Sequence, residues 1–229
     1  MRWIGLAAAL GALAACGGAH GSERTALAAQ SCPQFQQQAD DGAPSRPDVP
    51  ASLASFVSAT ETTVTVARDS GTPACIDITY GEVEAWDSLA GGRLLGIALS
   101  GHEYNSYLVI DREGSGKPIE TGRRPAVSPS GKRFASVDVS ESAFGAFEAL
   151  GVWELAEGSI RNLVTVEDLL DRGSDWRLNR WTSDDCVVFS TAADSTGVEL
   201  ETRRFHELRL SEAPALRGMP SRDACAPSA

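Results

Sequence analysis

The chain reads as all-β, assembled from repeated units of short strands, and three observations predict it. Turn-forming residues are plentiful, Gly 22 and Pro 11 in a chain of 229, and many fall in short clusters between β-branched runs. Phe134, Ser136 and Asp138 alternate with Ala135, Val137 and Val139, the two-residue period of a strand. After residue 60 a long helical periodicity is almost absent. A hydrophobic fraction of 42% is ordinary for a globular protein, and the length allows one good-sized core or two small ones.

In chain order, the first stretch is an address. Met1 and Arg2 form a minimal positive start, and Trp3 to Ala15 is an apolar run. A membrane-crossing helix needs about 20 apolar residues, so this run is too short to span and suits a signal peptide over residues 1–15. Leu13-Ala14-Ala15-Cys16-Gly17 resembles the lipobox of bacterial lipoprotein precursors. That resemblance implies cleavage before Cys16 and lipidation of its thiol and freed amine. It also implies a lipid-anchored place in the cell envelope, at the outer membrane facing the periplasm. Each acyl methylene buried in lipid contributes about 0.8 kcal/mol, so several chains on one residue hold durably. Removal of residues 1–15 takes only Arg2 among the charged residues, so the net charge of -11 less the +1 of Arg2 becomes -12.

Residues 16–50 are small, polar and Pro-punctuated, too poor in apolar surface to fold alone, and are expected to be a flexible tether. The folded domain is expected over residues 51–220, with a tail at 221–229. With Cys16 set aside, Cys32, Cys75, Cys186 and Cys225 remain. An even number in an exported chain points to two disulfides, for which four cysteines allow three connectivities. Cys32 and Cys225 flank the domain, while Cys75 and Cys186 lie in strand-like runs. Cys32–Cys75 with Cys186–Cys225 is therefore the expected pairing.

Within the domain, Thr62–Arg68 and Ile76–Tyr80 read as two strands of an opening unit. A full unit follows: Val83–Trp86, a Gly91-Gly92 turn, Leu94–Ser100, Tyr107–Asp111, a turn at Arg112–Gly116, and Lys117–Thr121. The clearest unit begins at Pro125. A short strand leads to the Ser128-Pro129-Ser130-Gly131 turn, where Pro presets φ and Gly accepts a positive one. Arg133–Ser140, Leu150–Leu155 and Ser159–Val164 complete it. A looser unit runs through Asn179–Thr182, Cys186–Thr191, Arg203–Leu210 and Ala215–Arg217. One connector helix is expected where Thr165-Val166-Glu167-Asp168 has the form of a capping box and Gly173 offers a stop.

The order of short strand, S-P-S-G-K-R turn, alternating strand and V-W-E-L strand over Pro125–Val164 resembles one blade of a TolB-type or WD-repeat β-propeller. The turn of that family usually reads Ser-Pro-Asp-Gly; here Ser130 stands for the Asp. The resemblance implies a small or incomplete propeller-like domain of three to four units. Fourteen strands are counted, against the sixteen of four complete blades.

Chemistry is harder to find. The acidic balance, 31 Asp and Glu against 20 Lys and Arg, excludes the basic stripe of a nucleic-acid binder. His102 and His206 lie near no nucleophile motif, so no catalytic residue is assigned. Gly114-Ser115-Gly116-Lys117 lacks the first glycine of a phosphate loop and reads as a hairpin turn. The cysteines are too dispersed and histidine too scarce for a metal site, and no cofactor is expected. Trp86, Trp153 and Trp181 suit a core, with Trp176 left open between core and a sugar-binding platform. The loop Glu141–Ala149 holds Phe144 and Phe147, which either form a knob for an envelope protein partner or fold back over the edge of the unit. The expected role is a binding or scaffold module, with an envelope hydrolase acting on carbohydrate or peptide and a structural subunit of an envelope assembly as alternatives.

Overall fold

The structure, a computed structural model, describes residues 32–33, 45–101, 105–139, 147–167, 170, 174–192, 203–210 and 214–219. These residues form fifteen strands in four antiparallel sheets. The first sheet is β1 (Val57–Ala59), β2 (Thr63–Val66) and β3 (Ala74–Asp77). The second is β4 (Glu82–Leu89), β5 (Leu94–Ser100), β6 (Asn105–Asp111) and β7 (Ile119–Glu120). The third is β8 (Ala126–Val127), β9 (Arg133–Asp138), β10 (Ala149–Ala156) and β11 (Ser159–Val166). The fourth is β12 (Asp175–Ser183), β13 (Cys186–Ala192), β14 (Arg204–Arg209) and β15 (Ala215–Met219).

Every sheet is a simple meander, each strand pairing with its neighbours in sequence. The units expected from the sequence are these sheets, except that the opening unit has three strands where two were expected. Gly91 and Gly92 both take positive φ, 67° and 95°, and Arg93 N–H closes the turn on Ala90 O. With Ala90 at 48°, three successive positive φ angles turn the chain between Leu89 and Leu94, and glycine accepts that conformation without steric cost.

The expected N-terminal cap of the connector helix falls on β11. Thr165 and Val166, expected to cap it, are strand residues paired with Gly151 and Leu150. Val166, like Val164, is a β-branched residue on a half-buried strand face, which fits a ladder better than a helix N-terminus. Residues 168–169 and 171–173 lie outside the described residues.

The sheets pack face to face, and this explains an anomaly in the burial pattern. Central strands are buried on both faces, so they do not alternate between core and solvent. Along β5, Leu95, Ile97 and Leu99 join a cluster with Val57, Val64, Val66 and Ile76 of the first sheet. Leu94, on the other face, joins Phe134, Trp153 and Leu155 of the third. The third sheet repeats the division, with Val137, Leu150 and Val152 packing against Val187, Phe189 and Leu208 of the fourth. Three cores thus fill the three successive joints. On the fourth sheet's other face, Val188 and Ser190 are also 0% exposed.

Glycine permits two of these faces to close. An indole atom of Trp153 lies where a side chain at Gly151 would begin, and the Tyr107 ring occupies the same place beside Gly96. Trp153 stacks on Phe134 with ring centroids 5.0 Å apart.

A disulfide joins Cys32 to Cys75, as expected. It spans 43 residues of sequence, and the loop-entropy model gives a cross-link of that span about 4 kcal/mol. Cys186 is disulfide-bonded as well; Cys225, its expected partner, lies outside the described residues.

Candidate functional site

A meander has two ends, and the two ends of this protein differ. At one end lie the turns between first and second strands and between third and fourth strands of each full sheet. Arginines there clasp one sheet to the next. Arg68, after β2, donates to Gly114 O of the second sheet at 2.7 Å. Arg93 donates to both oxygens of the buried Asp111 and reaches Ala156 O of the third sheet at 2.6 Å. Arg133 donates to Asp184 O and pairs with Asp185 of the fourth sheet. A guanidinium suits this work because its planar fork satisfies several acceptors at once.

A cleft of about 350 Å³ opens at this end between the first and second sheets, lined by Ser52, Phe56, Asp69, Gly91, Arg112 and Glu113 among others. Its charges are largely spoken for. The Arg112 guanidinium lies 3.9 Å over the Phe56 ring and donates to Gly92 O and Ala67 O, while Arg93 pairs with Glu113 at 3.2 Å. The cleft is a polar joint with its donors turned inward. Among the described residues, no group of three or more His, Cys, Asp or Glu is placed to hold a metal ion.

The opposite end carries the connections β5–β6, β9–β10 and β13–β14 and the links from sheet to sheet. Its centre is Asp175, at the start of β12. Arg203 reaches it at 2.9 Å, Arg177 at 2.7 Å and Arg123 at 3.8 Å. Arg123 also pairs with Asp138 at 2.9 Å and donates to Trp176 O, which ties the third sheet to the fourth. Burial pushes the Asp138 carboxyl above its usual range, with Arg123 opposing it only in part. Beside this network His206 lies against the Trp176 ring at 5.0 Å and bonds Thr191 Oγ1 through Nε2 at 3.1 Å. Burial, then the nearby Arg204 charge, lowers its pKa below that of a free histidine. Further round, Asp87 accepts from both Arg124 and Tyr107. Burial alone would raise its pKa, but those two bonds outweigh it and hold the carboxyl low. Burial and the Asp87 bond push the Tyr107 phenol up, so it stays a neutral donor.

The residues singled out from sequence fall as follows. Trp153 and Trp176 are buried, and Trp86 and Trp181 pack against the cores of their joints. The open alternative for Trp176, a sugar platform, is removed by its 4% exposure. Phe147 is half-buried with its ring 5.5 Å from Trp153 and packs against the core between the second and third sheets, as the fold-back alternative expects. Phe144, Cys16 and His102 lie outside the described residues.

One arrangement was missed, and its signal is in the sequence. Arg46-Pro47-Asp48-Val49 repeats Arg124-Pro125-Ala126-Val127. The Trp181 indole donates to Ala126 O at 2.9 Å, and the Trp86 indole donates to Asp48 O at 3.0 Å. Trp86 on β4 and Trp181 on β12 each sit on the first strand of a sheet. Each bonds the same position of an R-P-x-V segment. Val49 packs into the first core together with Trp86, whereas Val127 packs into the core on the other face of its sheet from Trp181. Residues 45–50 belong to the expected flexible tether, and within them Asp48 and Val49 contact the domain.

No protein-family model matches this chain, and no curated protein is similar to it.

Proposed function

We propose that this protein is a lipid-anchored cell-envelope module that binds or scaffolds a partner, its four sheets arranged as the blades of a small propeller-like ring. The observation that carries this reading is that the second-to-third-strand connections of all three full sheets leave from one end of a body whose sheets are clasped together by arginines. A rigid body presenting its loops from a single end is built for recognition. The ring geometry is supported by cores at three successive joints. It is supported further by Val188 and Ser190, buried on the face that would meet the first sheet. Closing a ring also removes the sheet faces that an open arc would leave wet.

Two results test the reading. Cys16→Ala in the full-length chain is expected to move the protein from the membrane pellet to the soluble envelope fraction. Unchanged membrane fractionation would contradict the anchor. Phe144 sits in the connection whose base is pinned by Phe147 on Trp153. Phe144→Ala is expected to reduce crosslinking to an envelope partner severalfold while leaving the melting temperature unchanged, since Phe147 keeps the core contact. Undiminished crosslinking would remove that loop from the recognition face.

A further inference from the structure

The repeated R-P-x-V segment leads beyond the binding reading. Val127 is a strand residue, held to Phe134 by ladder pairing. Its counterpart Val49 occupies the equivalent place before the first sheet, yet among the described residues no ladder pairing joins 45–49 to β1, whose only strand partner is β2. Docking there rests on the indole bond from Trp86 to Asp48 O and on Val49 in the first core. Just beyond it, Leu53 and Ala54 N–H groups close a turn on Pro50 O, the place taken after Val127 by the turn from Gly131 N–H to Ser128 O. The segment therefore has the position and the indole bond of an innermost strand without its backbone bonds. A neutral hydrogen bond contributes about 0.5–1.5 kcal/mol net, so each missing ladder bond makes the segment easier to lift.

We infer that residues 46–49 are a detachable innermost strand of the first sheet, and that the groove beside Trp86 is a binding site for an extended Arg-Pro-x-Val segment. The chain fills the groove in cis with its own lead-in. Recognition comes from three features: an indole N–H aimed at the carbonyl of x, an apolar seat for Val, and the fixed φ of the Pro before x. The Cys32–Cys75 bridge and the Thr63 Oγ1 donation to Pro33 O hold the preceding chain on β2 and β3. A lifted segment thus stays close to its groove and returns to it, as a tethered ligand does.

The test uses the full-length chain carrying R46G, P47S, D48G and V49S together, with a fluorescent synthetic peptide of residues 45–51 as probe. The expected result is peptide binding to the variant at least tenfold tighter than to wild type, whose groove is occupied, and none by a peptide with Asp in place of Val. Equal binding to both proteins would overturn the proposal. Native-state hydrogen exchange on wild type is independent of how well the variant folds. Asp48 and Val49 amides should exchange well before those of β5; exchange only together with β5 would overturn detachment. A concentration-dependent wild-type dimer that disappears in the variant would overturn the in-cis assignment, since a second copy would then be supplying the strand.

Discussion

Arg203→Ala is expected to cost about 3–5 kcal/mol of stability, the range for removing one partner of a buried, hydrogen-bonded ion pair. The Arg203 side chain is 1% exposed. Its guanidinium donates to Ser190 Oγ, to Ser190 O, to an Asp175 carboxylate oxygen and to Asp175 O. These acceptors lie on β12 and β13, while Arg203 itself leads into β14. One side chain therefore ties three strands at the loop end, and its loss leaves several buried acceptors dry. Arg177 and Arg123 still face Asp175, so the carboxylate charge keeps partial compensation, and the damage falls on the carbonyls and Ser190. Arg203→Lys is expected to recover little of the loss, because a compact ammonium does not span four acceptors. Urea denaturation measures both; a loss below about 1 kcal/mol for the alanine variant would mean that the network behaves as a surface pair.

Much of the strand order was legible because it depends on local chemistry. The S-P-S-G turn, the Gly91-Gly92 turn and the alternation through β9 each report their own backbone. Pairing of Cys32 with Cys75 followed from their places at the border and within a strand. What was hidden depends on contacts distant in sequence. β11 read as the start of a helix because Thr165 through Asp168 imitate a cap locally, while the partner that makes β11 a strand is β10. Phe147 stayed open between a partner-binding knob and a ring folded back over the blade edge, because Trp153, which it packs against, is a strand away. The arginine clasps had no local signature, since Arg93, Arg133 and Arg203 look in sequence like ordinary surface charges. The R-P-x-V repeat was visible, but its meaning rests on two tryptophans, Trp86 and Trp181, some 38 and 55 residues from the carbonyls they bond.

Those tryptophans give the second large effect. Trp86→Ala and Trp181→Ala are each expected to cost about 3 kcal/mol, the low end for an aromatic truncated in a core, because both rings are only partly buried. Trp86 packs against the core between the first and second sheets, and Trp181 against the core between the third and fourth. Each truncation also removes an indole hydrogen bond, to the exposed Asp48 O in one case and to the part-buried Ala126 O in the other. The two carbonyls belong to segments that look unlike in status, a lead-in outside any ladder and a paired strand. If the domain is made of four equivalent units, the two truncations are the same experiment performed at two joints. Side-by-side urea denaturation of the two variants tests this most directly. Equivalent units predict losses that agree within about 1 kcal/mol, since neighbouring contacts rather than sequence distance set the cost. A near-neutral Trp86→Ala beside a costly Trp181→Ala would contradict the account, leaving residues 46–49 as loose tether and the first sheet as an incomplete three-stranded end.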